Sequence, residues 1–219
     1  MLYLIATPIG NLADFSFRAI KTIQTLDYLL CEDTRKTRIL LNHYELSIPL
    51  KSFHSYNEKK NLPKILEDIR TGKQIGLVSD AGTPAISDPG IRLVAECRKE
   101  GITVVPIPGA CAAIAGLVAS GLDTTRFQFL GFLPRKKGKL IRIFQEILNY
   151  PGSTICYESP FRLVASLKIL AEIDPMRCCA VARELTKKFE EVTNGTAADL
   201  VEHFSKKPPK GEIILLVSS

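Results

Sequence analysis

The stretch that decides the fold of this 219-residue chain is Ser79-Asp80-Ala81-Gly82-Thr83-Pro84-Ala85-Ile86-Ser87-Asp88-Pro89-Gly90. The apolar run Gln74–Val78 before it predicts a buried strand, and Ile91–Glu100 after it has the apolar spacing of a helix. Open α/β sheets bind ligands in such loops, at the carboxyl ends of their strands. Gly82 and Gly90 allow the backbone to approach a ligand or to take positive φ. The alternative is a capped turn without a ligand, but loops of this length are more often functional.

Apolar runs and helical patterns alternate along the rest of the chain, which indicates an α/β fold with a parallel sheet and crossover helices. The pattern breaks at Ser120–Arg126, so we expect two domains, 1–119 and 120–219. The second has more neighbouring strands, which predicts a mixed sheet. The predicted strands are Leu2–Ala6, Tyr28–Cys31, Leu50–His54, Gln74–Val78, Ile102–Pro106, Phe127–Phe132, Thr154–Tyr157, Cys178–Ala182, Phe189–Thr193 and Glu212–Val217.

Composition is that of an ordinary soluble protein, with 46% hydrophobic and 24% charged residues. No apolar run approaches the roughly 18 residues that span a membrane, and the amino terminus has no basic region of a signal peptide. We therefore expect a cytoplasmic protein. The six cysteines form no C-x-x-C pair and the three histidines show no ligand spacing, so we expect neither a metal site nor a disulfide framework.

Several standard sites are missing from the sequence. It contains no P-loop, no G-x-G-x-x-G fingerprint and no G-x-S-x-G nucleophile elbow. Polar residues instead follow the predicted strands in several places, and strand ends of this kind converge on one edge of a sheet. These segments are Thr7–Asn11, Glu32–Arg35, Ser79–Gly90, Pro108–Ala112, Glu158–Arg162 and Arg183–Lys188.

A family resemblance rests on motifs that run in order along nearly the whole chain. They are Met1–Leu12, Cys31–Arg35, Ser79–Gly90, Pro106–Gly109, Gly131–Pro134, Tyr157–Arg162 and Ala182–Lys187. Together they resemble the tetrapyrrole methylase superfamily and, within it, a branch that methylates RNA. The resemblance implies two α/β domains with S-adenosylmethionine in the cleft between them, and a homodimer. It also implies 2′-O-methylation of a cytidine ribose in small-subunit (16S) ribosomal RNA, presented as free RNA or as the assembled 30S subunit.

The resemblance further implies a set of cofactor-binding residues. One position departs from the superfamily, which often has Ser where this chain has Cys111, and a thiol is a weaker donor than a hydroxyl. The backbone role of that segment does not depend on the side chain. The implied contacts are Pro8, Ser79, Asp80, Ala81, Gly82, Thr83, Ile86, Gly109, Cys111, Ala112, Tyr157, Ala182 and Gly211.

Methyl transfer to a ribose hydroxyl needs a group that takes up the hydroxyl proton or stabilises the developing alkoxide. A carboxylate with a raised pKa or a lysine with a lowered pKa would serve. A salt bridge or a helix cap is the alternative role for each candidate. The candidates at strand ends are Asp33, Asp88, Glu158, Glu184 and Lys187.

The net charge of +6 is modest, but its clusters suit a partner that carries phosphates. His54, Tyr56 and Phe161 are candidates to stack on a flipped base. A solvated surface is the alternative for any one of the charges. The predicted RNA contacts are Arg35, Lys36, Arg38, His54, Arg135, Lys136, Lys137, Lys139, Arg162 and Arg183.

Two other functions stay open on the sequence. One is a C-methyltransferase that acts on a tetrapyrrole such as a uroporphyrinogen or precorrin. The segments Asp33–Thr37 and Arg183–Lys187 favour the RNA branch over it. The other is a non-catalytic RNA-binding protein, which would have no use for the long loop Ser79–Gly90.

Overall fold

The first half of the chain builds a five-stranded sheet in which every neighbouring pair of strands is parallel. The computed structural model describes residues 1–219, and the strand order is β3-β2-β4-β1-β5. The strands are β1 (Leu2–Ile5), β2 (Tyr28–Cys31), β3 (Leu50–Ser52), β4 (Ile75–Leu77) and β5 (Val104–Ile107). The helices are α1 (Phe17–Ile23), α2 (Thr34–His43), α3 (Glu58–Arg70) and α4 (Ile91–Lys99).

Successive side chains of this sheet enter two separate cores, because neighbouring residues of a strand point to opposite faces. On one face, Leu30 and Leu77 pack with residues of α3 and α4 such as Leu66 and Leu93. On the other face, Leu29 packs with residues of α1 and α2. Burial on both faces explains why the strands are short continuous apolar runs in the sequence.

The second half of the chain builds a mixed sheet with the order β6-β7-β10-β8-β9. Strands β6 and β7 are parallel, and the other neighbouring pairs are antiparallel. The strands are β6 (Phe127–Phe132), β7 (Ser153–Glu158), β8 (Cys178–Arg183), β9 (Glu191–Thr196) and β10 (Ile213–Val217). The helices are α5 (Ala112–Ser120), α6 (Lys137–Asn149), α7 (Leu163–Ile173) and α8 (Ala197–Lys206). The predicted fold class, one parallel and one mixed α/β sheet, is confirmed.

Two layers of helices cover the second sheet. Helices α6, α7 and α8 contribute Phe144, Leu167 and Phe204 to the core on one face, together with Ile213 and Leu215 of β10. Helix α5 packs against the opposite face, where Ile214 points. None of the helices in the chain is both long and apolar enough to cross a membrane.

The division between the two units falls before α5, not after it. The chain separates into Met1–Cys111 and Ala112–Ser219, whereas the sequence pattern placed the boundary at residue 120. The reason is the close packing of Gly116, where a Cβ would lie 3.1 Å from Ile214 Cδ1 and 3.6 Å from Ala182 Cβ. The break in pattern at Ser120–Arg126 is the connection from α5 to β6.

Helix α3 also begins earlier than its sequence pattern indicates. The apolar spacing of the sequence predicts a helix over Pro63–Ile69, with proline at the first position, which it favours. The structure starts the helix at Glu58, whose backbone N–H donates to His54 O at 2.9 Å, and Pro63 lies inside it.

We expect Gly116→Leu to lower the free energy of unfolding of the full chain by about 1–3 kcal/mol, because the added side chain overpacks the contact with Ile214. Ala119→Leu is the matched control, since Ala119 is exposed on the same helix. It should change stability by no more than about 0.5 kcal/mol. Urea unfolding measures both, and equal effects would contradict the packing of α5 described above.

Candidate functional site

The loop Ser79–Gly90 is held to the end of β1 by a two-way backbone bridge. Thr7 N–H donates to Gly82 O at 2.9 Å, and Gly82 N–H donates to Thr7 O at 3.1 Å. The buried Thr7 hydroxyl also donates to Ser79 O at 3.3 Å. Thr83 Oγ1 donates to Ala110 O at 3.1 Å and thereby ties the loop to the segment after β5. The polar ends of β1, β4 and β5 are therefore one connected edge of the first sheet.

The same loop holds four residues in the left-handed region of φ. Gly82 and Gly90 have φ values of +81° and +124°, and Ala85 and Ser87 have +67° and +65°. A left-handed conformation costs a residue with a side chain about 1–2 kcal/mol. Strain of this kind collects at functional sites, where surrounding contacts hold it in place. The bridge to Thr7 is such a contact.

Main-chain groups of this edge are available to a ligand. The backbone N–H groups of Ala81, Thr83 and Ile86 donate to no other group of the chain, and Ala81 and Ile86 are exposed. At Gly109 a Cβ would lie 2.9 Å from Ala6 Cβ, so this exposed backbone runs tightly against the end of β1. The edge thus fits a small polar ligand held by main-chain contacts. This is the role that the family resemblance implies for Ser79–Thr83, Ile86 and Gly109.

Asp33 and Asp80 are engaged in holding α2 to the loop. Asp80 accepts a hydrogen bond from Asp33 N–H at 3.1 Å and one from Lys36 Nζ at 2.7 Å. Asp33 caps α2 by accepting from Arg35 N–H at 2.9 Å, and it pairs with the Arg35 guanidinium at 2.7 Å. The hydrogen bonds from Arg35 hold the pKa of Asp33 well below its usual range. Asp33 is therefore a weak proton acceptor.

The pKa of Asp88 is shifted in the opposite direction. Burial raises the pKa of its carboxyl to about 6, the negative charge of Glu32 adds to the rise, and the Ser79 hydroxyl partly offsets it. Asp88 forms no ion pair. A carboxylate with this pKa is mostly ionised at neutral pH and is still basic enough to take up a proton. Among the acidic residues of this edge, Asp88 has the chemistry of a general base.

Glu158, in the second unit, uses both carboxylate oxygens for hydrogen bonds within its own turn. The side chain is fully buried, and its Oε1 accepts from Ser159 N–H at 2.7 Å. Its Oε2 accepts from Ser166 Oγ at 2.6 Å and lies 3.3 Å from Arg162 Nη2. Both oxygens thus stabilise the connection from β7 to α7.

Glu184 and Lys187 form a clasp with the segment before β10. Glu184 Oε1 accepts from Lys187 Nζ at 2.9 Å and from Glu212 N–H at 3.0 Å. Lys187 Nζ also donates to Glu212 Oε2 at 3.0 Å. The hydrogen bond from Lys187 lowers the pKa of Glu184. Burial lowers the pKa of Lys187, but its bonds to Glu184 and Glu212 outweigh burial and raise it.

The clasp is also why glycine occupies position 211. Gly211 has φ +88°, and a Cβ there would overlap the carboxyl group of Glu184. The geometry of Glu184 and Lys187 is that of a structural tie, with both groups charged at neutral pH.

Ion pairing divides the basic residues into two groups. Arg183 pairs with Glu191 at 2.8 Å, and Arg162 donates to Leu133 O and Pro134 O besides pairing with Glu158. Arg35 and Lys36 are paired as described above. The remaining predicted RNA-binding cations form no ion pair, and they are Arg38, Arg135, Lys136, Lys137 and Lys139.

The structure distributes the predicted site residues over the two units. Thr7 and Glu32 lie in polar segments that the sequence singles out, but neither is among the residues predicted to bind or catalyse. The pairing of Thr7 with Gly82 is not visible in the sequence. The first unit carries Pro8, Asp33, His54, Ser79–Thr83, Ile86, Asp88, Gly109 and Cys111 on segments that follow its strands. The second carries Ala112, Tyr157, Glu158, Ala182, Arg183, Glu184, Lys187 and Gly211.

A parallel α/β unit, a mixed α/β unit and a strained loop after β4 define a methylase fold of the tetrapyrrole type. The profile of the Tetrapyrrole (Corrin/Porphyrin) Methylases matches residues 1–201, and the chain belongs to this family. Two solved structures share the fold. Diphthine synthase superposes with a TM-score of 0.77 at 13% identity, covering 100% of this chain and 89% of that one. Cobalt precorrin-4 methyltransferase has a TM-score of 0.70 at 16% identity, covering 99% and 94%.

Three relatives of much higher identity are called ribosomal RNA small subunit methyltransferase I. The protein of Halalkalibacterium halodurans is 47% identical over 99% of this chain and 75% of its own length. That of Synechocystis is 45% identical over 100% and 78%. That of Thermotoga maritima is 42% identical over 99% and 97%. The family predicted from the sequence motifs is confirmed.

Gly90→Ala should lower the free energy of unfolding by more than about 1 kcal/mol, because φ is +124° and the new Cβ would lie 2.5 Å from Leu77 Cδ2. Gly101→Ala is the control, since Gly101 has φ +69° but nothing within 4 Å of an added Cβ. Denaturant unfolding should rank Gly90→Ala as the more damaging change. If the two variants are equally stable, the close approach of Gly90 to β4 is wrong.

Proposed function

We propose that this protein is an S-adenosylmethionine-dependent methyltransferase that 2′-O-methylates a cytidine ribose in small-subunit (16S) ribosomal RNA. The observation that carries the proposal is the 42–47% identity, over 99–100% of the chain, to relatives named for methylation of this RNA. The membership in a methylase family and the ligand-competent edge of the first sheet support the same reaction.

The geometry of the edge supports the proposed cofactor contacts of the first unit. Free main-chain groups at Ala81, Thr83 and Ile86 suit the polar groups of an amino acid and a nucleoside. Asp80 is held by Lys36 and shapes the loop. Pro8, Gly109 and Cys111 border the same edge. Ala112, Tyr157, Ala182 and Gly211 stay predicted contacts from the family resemblance. The bound cofactor supplies a methyl group activated by a sulfonium.

Asp88 takes up the proton of the ribose 2′-hydroxyl. A neutral hydroxyl is a poor nucleophile, so an acceptor positioned beside it lowers the barrier. Asp33 is too weak a base, and Glu158, Glu184 and Lys187 are engaged in structural bonds. The raised pKa of Asp88 leaves it ionised at neutral pH and ready to accept.

Asp88→Asn should lower the methyl-transfer rate about 10²–10⁴-fold at saturating S-adenosylmethionine, because an amide cannot take up the proton. The wild-type rate should fall as the pH drops below about 6, where the Asp88 carboxylate becomes protonated. The residual rate of Asp88→Asn should lack this acidic limb. Labelled methyl transfer to isolated small ribosomal subunits measures both.

Asp14→Asn is the control for that experiment, since Asp14 is an exposed carboxylate without an ion pair in the same unit. Its rate and pH profile should match the wild type. If Asp88→Asn turns over as fast as the wild type, Asp88 is not the base.

The stability of Asp88→Asn should also depend on pH. The folded pKa of about 6 lies above the ordinary value of 3.8, so Asp88 stabilises the folded state most below the lower value. That contribution is lost as the pH rises through the upper value. Asp88→Asn should therefore gain stability over the wild type at about pH 8 and gain less at about pH 4. Thermal unfolding at the two pH values tests this, and a pH-independent difference would contradict the burial of Asp88.

The alternative substrate is a tetrapyrrole, to which a solved structure of the same fold points through its name. That structure is only 16% identical to this chain, so it supports the fold alone. An assay that compares methyl transfer to small ribosomal subunits with methyl transfer to uroporphyrinogen III separates the two reactions. Transfer only to the tetrapyrrole would overturn the proposal, and comparing assembled subunits with free RNA would identify the form of the substrate.

We also propose a cytoplasmic homodimer, the state that the family resemblance implies. Ribosomal RNA as substrate supports the location. Sedimentation should give twice the chain mass of 24.2 kDa, and a monomer at micromolar concentration would contradict the dimer.

A further inference from the structure

Two phenylalanine side chains at one edge of the second sheet are exposed to solvent, and no contact within the fold explains their exposure. Phe132 ends β6 and is 65% exposed, and Phe161 in the turn after β7 is 97% exposed. The cluster Arg135, Lys136, Lys137 and Lys139 follows Phe132 directly in the chain. We call these six residues the aromatic–basic edge.

Hydrogen bonds bring the two aromatic positions together. Arg162 Nη2, one residue after Phe161, donates to Leu133 O at 3.0 Å and to Pro134 O at 2.9 Å. The same guanidinium pairs with the buried Glu158, which fixes the turn from inside. The segment after Phe132 and the turn with Phe161 are therefore parts of one ordered surface.

Phe132 also lies beside a predicted cofactor contact. Its ring is 5.4 Å from the ring of Tyr157 in an edge-on arrangement, and the two residues are paired across β6 and β7. A base stacked on Phe132 would therefore be next to Tyr157.

The four cations of the edge have no acidic partner in the chain. None of Arg135, Lys136, Lys137 and Lys139 forms an ion pair, and all four are exposed. Lys136 occupies the N-cap position of α6 without a capping hydrogen bond from its side chain, and the first turn of the helix has no acidic residue. Cations at this end oppose the helix dipole by about 0.3–1 kcal/mol each. Their presence costs stability, so an external anion is the better explanation of the cluster.

The basic cluster of the first unit is different. Arg35 and Lys36 are already neutralised by Asp33 and Asp80. Glu158, the acidic residue that Arg162 holds at the aromatic–basic edge, is likewise paired. At the aromatic–basic edge, four unpaired cations lie in the same surface as two exposed rings.

We propose that the aromatic–basic edge binds a single-stranded segment of the substrate RNA. Phe132 and Phe161 stack on bases, and Arg135, Lys136, Lys137 and Lys139 contact phosphates. Exposed aromatic rings beside unpaired cations are the combination that binds single strands, because every base offers a face to stack and every nucleotide a charge. The inference rests on the proposed function in that the RNA is the methylated substrate.

The first test measures stacking with a fluorescein-labelled oligouridine of about 12 nucleotides, long enough for one binding surface. The double variant Phe132→Ala with Phe161→Ala should raise Kd at least about 10-fold, given the usual contribution of one stacked base. Phe127→Ala is the matched control, since Phe127 is 43% exposed at the opposite end of the same strand. It should leave Kd unchanged.

The second test measures charge. The double variant Lys136→Gln with Lys137→Gln should reduce the slope of log K against log salt by about 1.4, the value for two lost phosphate contacts on a single strand. It should fold normally, because it removes cations from the positive end of α6. Arg126→Gln with Lys168→Gln removes two exposed charges elsewhere on the unit and should leave the slope unchanged.

Methyl transfer to small ribosomal subunits by the wild type separates the two proposals. If the wild type transfers methyl groups but both edge variants bind the oligouridine like the wild type, the aromatic–basic edge is not the RNA surface. This conclusion holds whether another protein covers the edge or it stays exposed. If the edge variants lose binding as expected but the wild type transfers no methyl group to the subunits, the edge binds RNA and the proposed reaction is wrong. If the wild type binds duplex RNA but not the single-stranded oligouridine, the edge proposal is also overturned.

Discussion

The antiparallel bridge between Thr7 and Gly82 is the constraint on which the site depends. Two backbone hydrogen bonds join the end of β1 to the loop after β4. They hold the loop in a conformation with left-handed Ala85 and Ser87, which the residues themselves do not prefer. Without the bridge the loop would relax, and its free N–H groups would turn to water or to carbonyl oxygens. Asp88 would then lose the burial that raises its pKa.

Ion pairing then sorts the polar residues by role. Carboxylates that accept from arginine or lysine, such as Asp33 and Glu184, are stabilised in the charged form and act as ties. Asp88 has no such partner and is pushed toward the neutral form. The same rule applies to the cations, since paired side chains shape loops and unpaired ones are left for a partner. The chemistry proposed for this protein is assigned to the residues that the fold leaves unpaired.

Much of the fold was predictable because its signals are local. Strand β6 has the bounds Phe127–Phe132 that the pattern predicts, and strand β2 has the predicted bounds Tyr28–Cys31. The unit boundary was not predictable from local pattern. Helix α5 is apolar on most sides, so its sequence does not say which sheet it covers, and the small Gly116 fits against Ile214. The start of α3, five residues before Pro63, was not predictable either, because it depends on a hydrogen bond to His54.

Periodicity and motifs in order along the chain were enough to predict the fold class, the family and the segments that carry the candidate site. Which residues of those segments are engaged in hydrogen bonds and ion pairs became visible only in the folded chain. Whether Asp88 or Glu184 keeps a free carboxylate, and whether Lys36 or Lys136 keeps a free charge, depends on neighbours that are distant in sequence. Electrostatic partners are set by distance in space, and a linear pattern does not contain that distance.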